Sequence, residues 1–161
     1  MFGHTFVSGG GSGGGGGVAN HGILECRSGQ IIANGAYPVT VQLTTTVKDN
    51  AAMCNTATYT ITAKKTALYE IIGVVIFNNA FPDRANGQAL IHINGVLDTY
   101  QICYTSHATG AADQPAMARV LYYKNLNIGD AVTLIAFQNS GAAVGLSTTL
   151  GWTQLSVKES L

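Results

Sequence analysis

The chain has 161 residues, of which 47% are hydrophobic and only 10% charged, and its eight basic and eight acidic side chains cancel. Length leaves room for one ordinary domain. A neutral balance with Lys64-Lys65 as the basic pair excludes the clustered cationic face of a nucleic-acid-binding domain. Globular domains carry about 25% charged residues, so the shortage implies a surface partly covered by partners or by copies of the chain.

In chain order, residues 1–17 come first. Met1 to Val7 (MFGHTFV) carries Phe2, Phe6 and Val7, and Ser8 to Gly17 contains only glycine and serine. Such a tract supplies nothing to bury and is expected to act as a flexible tether. A tether makes sense with something at each end, so Phe2, Phe6 and Val7 are expected to anchor the chain on a partner. A frayed tail is the plain alternative. Met1 to Val7 shows neither the cationic start nor the apolar stretch of a secretion signal, so synthesis in the host cytoplasm without the usual export route is the expectation.

Residues 18–38 read as a connecting segment. From Val39 the chain reads as β-strands: 39–46, 57–62, 69–78, 89–93, 96–104, 118–126, 131–139 and 152–157 alternate apolar and polar residues or are rich in β-branched and aromatic ones. Asn94-Gly95 between two such runs is a strong hairpin signal. Gly129-Asp130 marks a second tight turn. No window keeps a helical apolar period. Residues 39–161 are therefore expected to form an all-β sandwich or barrel. The longest apolar run, Ile71 to Phe77, is broken by Gly73 and falls far short of the about 20 residues of a spanning helix; no membrane is expected as a partner.

Within 39–161 the layout resembles the globular head of complement component one q and its tumour-necrosis-factor-like relatives. The carriers are Thr66-Ala67-Leu68-Tyr69-Glu70-Ile71, Ile91-His92-Ile93-Asn94-Gly95, Leu126-Asn127-Ile128-Gly129-Asp130-Ala131-Val132-Thr133-Leu134, and the ending Thr153-Gln154-Leu155-Ser156-Val157. Ala67 stands where that family commonly has glycine, and Ser8 to Gly17 lacks the Gly-X-Y period of a collagen stalk. The resemblance implies a jelly-roll β-sandwich that assembles as a trimer around a threefold axis. Tyr100, Tyr104, Tyr122 and Tyr123 are then candidates for the trimer interface, since aromatics dominate interfaces; core packing and a glycan-binding surface are the other readings.

Chemistry is sparse. Cys26, Cys54 and Cys103 are an odd, widely spaced set, expected to be free and buried or partly buried thiols. Cys103 and His107 are close in sequence but lack a third orienting group. His4 and His21 flank the glycine tract, and His92 between Ile91 and Ile93 is expected to point to the opposite, more polar face. Asp83 and Asp113 are scattered loop carboxylates, far from the oxygen-rich set that calcium requires. The glycine tract lacks the lysine and preceding strand of a phosphate loop. The expectation is therefore no enzyme, with no catalytic, cofactor-binding or metal residues.

The functional expectation is a structural virion protein: a trimeric bacteriophage capsid decoration or cement protein on the virion surface. Its extended glycine-rich N-terminal arm would attach it to the major capsid protein or other virion subunits. The alternative is a tail-fibre or receptor-binding tip that recognises a host surface glycan.

Overall fold

The computed structural model describes residues 18–78, 85–104, 115–149 and 153–160, with backbone alone at 100–104. Among the described residues there is no helix. Thirteen strands follow one another: β1 His21–Glu25, β2 Ile31–Ile32, β3 Val39–Thr40, β4 Thr45–Asp49, β5 Cys54–Asn55, β6 Thr60–Thr62, β7 Ala67–Phe77, β8 Asn86–Ile93, β9 Val96–Tyr104, β10 Ala116–Leu126, β11 Ala131–Gln138, β12 Val144–Gly145 and β13 Gln154–Glu159. A five-stranded sheet runs β10-β7-β13-β1-β4. A six-stranded sheet runs β5-β6-β11-β8-β9, with β3 also on β11, and β12 pairs with β2. The two larger sheets pack face to face as a jelly roll.

Two expectations change here. Residues 18–38 are not merely a connection, because β1 lies between β13 and β4, paired to both, so the sandwich begins near residue 21. The expected strand over 39–46 is two strands, since β3 pairs with β11 of one sheet and β4 with β1 of the other. The chain crosses between sheets at Val41 to Thr44. It keeps Val41 and Leu43 buried on the way, so the alternation reflects a bridge across the core.

Apolar alternation builds that core. Leu24, Leu43, Ile61, Tyr69, Ile71, Phe77 and Ile91 are fully buried between the sheets, each contributing about 1.5–3 kcal/mol of hydrophobic stabilisation. The buried Tyr69 hydroxyl donates to the Lys65 carbonyl at 3.2 Å and accepts from the Lys65 N–H, which satisfies its polar end. At Gly73 the sheets approach closely: a Cβ there would stand 2.8 Å from both Ile91 Cδ1 and Leu134 Cδ1. The Asn94-Gly95 hairpin forms as expected, with φ of 54° and 80°. Two consecutive positive φ values define the turn that matches strand twist.

The register gathers the strand ends. The start of β1 meets the end of β13, the start of β7 meets the end of β10, and the β8–β9 turn lies beside the β10–β11 turn. Asn94 Nδ2 donates to Asp130 Oδ1 at 2.8 Å, and the Ala131 N–H donates to Asn94 Oδ1 at 2.9 Å. The chain therefore leaves the N-terminal segment at the same end of the sandwich as these two tight turns.

Candidate functional site

Antiparallel register lays the outward side chains of the five-stranded sheet in rows. One row is Tyr123, Glu70, Lys158 and His21. The next is Leu121, Ile72, Ser156 and Ile23, and the next Arg119, Val74, Gln154 and Glu25. Met117 and Ile76 follow. Alternate residues of the same strands (Ala118, Val120, Gly73, Val75, Leu155 and Leu24) face the core. Large apolar side chains on this outer face are interleaved with charged ones, Arg119 lying between Met117 and Leu121 on β10. Met117 is 54%, Leu121 49% and Tyr123 57% exposed, which is high for large side chains grouped on one strand.

Polar groups edge this face. The Tyr123 hydroxyl donates to Glu70 Oε2 at 3.0 Å, which raises the tyrosine pKa. His21 Nε2 pairs with Ser156 Oγ at 3.1 Å. Burial, then the nearby Lys48 and Lys158 ammonium groups, lowers the His21 pKa, while Glu70 opposes them. A cleft of about 360 Å³ opens beside Tyr123 and Glu70, with Ala19, Lys158, Glu159 and Ser160 on its other walls. Glu159 Oε2 accepts the Asn20 N–H at 3.0 Å, and Lys65 Nζ lies 3.2 Å from Glu159 Oε1. The Asn20 hydrogen bond and the Lys65 charge hold the Glu159 carboxyl below its ordinary range, against its partial burial. This fixes the root of the N-terminal segment against β13.

The four candidate tyrosines divide. Tyr123 lies on the outer face. Tyr122, one residue earlier, packs against the core instead, because successive residues of a strand point to opposite faces. Burial, then the adjacent Asp98 carboxylate, pushes its pKa up. Tyr100 and Tyr104 belong to β9, in the other sheet; they are not on a strand paired with β10, and their side chains lie outside the described residues. Phe2, Phe6 and Val7 also lie outside them, as do His4, His107, Asp83 and Asp113, while Cys103 is described by its backbone alone, in β9.

Strand alternation alone does not identify the outer face as apolar; the signal available was the run Ile71 to Phe77, apolar at both alternating sets of positions and interrupted by Gly73, which implies cover on both sides of β7. His92 is a further correction. It does point away from Ile91, but that face is not open: His92 and its neighbours Leu90 and Ile135 are all buried. Burial lowers the His92 pKa, against a hydrogen bond with the Gly95 backbone. Cys26 is buried and Cys54 half-buried, both free. The Cys54 pKa is pushed up to about 11, first by burial and then by Asp49, the opposite of an activated thiol. No group of three or more His, Cys, Asp or Glu side chains is placed to hold a metal ion among the described residues.

No protein-family model matches the sequence, and no curated protein matches it. Solved structures do. Eiger TNF from S. frugiperda aligns with a TM-score of 0.64 at 12% identity, over 89% of this chain and 94% of that one. Murine APRIL at pH 5.0 aligns at 0.61 and 17% identity, over 88% and 99%. The globular domain of zebrafish complement 1qA aligns at 0.56 and 10% identity, over 86% and 93%. The fold is thus the jelly roll of TNF and C1q heads. The similarity spans more of the chain than residues 39–161 account for, in keeping with a sandwich that includes β1.

Proposed function

We propose that this TNF- and C1q-like jelly roll is a non-enzymatic structural module that forms a homotrimer through the outer face of its five-stranded sheet. The observation that carries the reading is the grouped exposure of Met117, Leu121 and Tyr123 on that face. A surface of this kind is costly to leave in water and favours self-association. The low charge of the whole chain and the trimer implied by the resemblance support it.

The module's setting is proposed as the surface of a bacteriophage capsid, as a decoration or cement protein. The sequence supports this through its first seventeen residues: an apolar anchor of Phe2, Phe6 and Val7 on a glycine and serine tether, suited to fastening a head onto a larger assembly. The major capsid protein is the proposed partner.

Light scattering on the purified full chain tests the trimer. A mass three times 16.7 kDa is expected, and a monomer at every concentration would overturn it. Deletion of residues 1–17 is expected to abolish attachment to particles while leaving the mass ratio at three. Attachment without those residues would remove the anchor reading. A few copies per particle, with binding to surface glycan, would replace decoration by a fibre tip.

A further inference from the structure

The end of the sandwich that carries the N-terminal segment is unusually apolar for a set of turns. Val96 and Ile128 are each 70% exposed on the two turns, and Val18, Leu68 and Leu97, near the same strand ends, are exposed as well. The two turns form a rigid platform flanked by Leu68 on the five-stranded sheet and Leu97 on the six-stranded one. The β8–β9 and β10–β11 turns are tied by the two Asn94 hydrogen bonds to Asp130 and Ala131. The Ile128 N–H donates to Thr66 Oγ1 at 3.2 Å, just before Leu68. The Ser160 N–H donates to the Leu68 carbonyl at 2.8 Å, and the preceding Glu159 N–H donates to the Asn20 carbonyl at 2.8 Å, which brings the root of the N-terminal segment within two strands of Leu68. Aliphatic side chains on turns held this firmly cannot collapse inward to leave water, because their backbone is fixed.

The length of chain outside the described part selects the occupant. Ser8 to Gly17 is ten residues, whose typical end-to-end distance as a flexible chain is about 16–19 Å. The eleven-residue β7 spans about 36 Å. The tether therefore keeps Phe2, Phe6 and Val7 within about half a sandwich length of the platform at which it starts. Linkers this short give effective concentrations in the millimolar range, so even a weak apolar contact is largely formed.

We infer that the platform of Leu68, Val96, Leu97 and Ile128 is a docking site for residues Phe2 to Val7 of the same chain, which holds the anchor on the head until a partner takes it. The inference rests on the reading of those residues as an anchor, and adds a stored state to it. A docked anchor hides its phenyl rings, which keeps free heads from joining one another by their tails. Its release exchanges one apolar contact for another, so transfer to a partner needs no unfolding of the head.

The test uses the free full-length protein. Chymotrypsin cleavage after Phe6 is followed by mass spectrometry, in parallel with methyl NMR of valine, leucine and isoleucine. Cleavage is expected to be about tenfold faster in a Val96→Ser, Leu97→Ser, Ile128→Ser variant, the factor set by a millimolar effective concentration acting on a contact of about 0.1 mM. The factor should not change on dilution. In Phe2→Ser, Phe6→Ser protein, which leaves the sandwich untouched, the Val96, Leu97 and Ile128 methyl signals are expected to move and the Leu24 and Ile71 signals to stay. Equal cleavage rates with unmoved platform methyls would overturn the inference. That result leaves arm-dependent attachment to particles standing; conversely, protection without any particle attachment would sink the anchor function and not the stored state.

Discussion

The two faces of β10 are nearly alike in composition and opposite in fate. Ala116, Ala118, Val120 and Leu126 are buried against the other sheet, whereas Met117, Leu121 and Tyr123 on the alternate positions stand half in water. In a sheet with one solvated face, the outward positions should be polar. That outward side instead carries Met117, Leu121 and Tyr123 around Arg119 on β10, and Ile72, Val74 and Ile76 beyond Glu70 on β7. One face is buried by folding, and the other keeps three large side chains half exposed. On the proposed reading, neighbouring residues of one strand do different jobs: stability on one side, assembly on the other.

The comparison is broken most forcefully by placing the same charge on adjacent residues. Val120→Asp buries an unpaired carboxylate at a cost of several kcal/mol, against a total stability of about 5–15 kcal/mol for a domain. No cooperative unfolding transition is expected at 25 °C by circular dichroism. Leu121→Asp, one residue on, should change the monomer's stability by at most about 0.5 kcal/mol while light scattering shows the trimer mass falling to that of a single chain. A trimer that survived Leu121→Asp would place assembly elsewhere.

A smaller effect sharpens the inward side. Gly73→Ala forces a Cβ to 2.8 Å from Ile91 Cδ1 and Leu134 Cδ1. The overpacking is expected to cost about 1–3 kcal/mol in urea unfolding, with the trimer retained wherever the protein is folded.

The outer face of the six-stranded sheet supplies a pH test. His92 has its pKa lowered from 6.5 by burial, so the unfolded chain binds its proton first as pH falls. Stability contributed by keeping His92 neutral is present above about pH 6.5 and is lost as pH drops from there toward the folded value. The melting temperature should decline between pH 7 and pH 5, and His92→Leu should flatten part of that decline. His21, lowered in the same sense, accounts for a remaining slope. An unchanged slope in His92→Leu would show that the residue is not buried in solution.

The least effect belongs to Tyr123→Phe. It removes a surface hydrogen bond to Glu70, which exposed groups make with little net gain. Monomer melting should not move. If the face is covered in the trimer, dissociation on dilution becomes easier, because Glu70 then lacks its donor in a drier place.

Much of this was legible in the residues. Asn94-Gly95 and Gly129-Asp130 named their turns because few residues accept the backbone those turns require. The longer strands read over 69–78, 89–93, 96–104, 118–126 and 131–139 were plain from β-branched and aromatic runs, whereas the two-residue β12 was not. β1 was not, since HGILE has a glycine and a glutamate among five residues and follows a structureless tract. Its place is decided by β13 and β4 on either side. The tyrosine candidates divided for a similar reason: adjacent tyrosines on a strand cannot both face outward, and the sequence does not say which one does.

By itself, then, the sequence determined that this is a β-sandwich, because alternation and turn chemistry are local properties. Only the tertiary structure decided which of two apolar faces is inside, that 39–46 bridges two sheets, and that two distant turns share one end with the arm's root. Those are matters of register between strands far apart in the chain, and pairing partners are chosen by the whole fold.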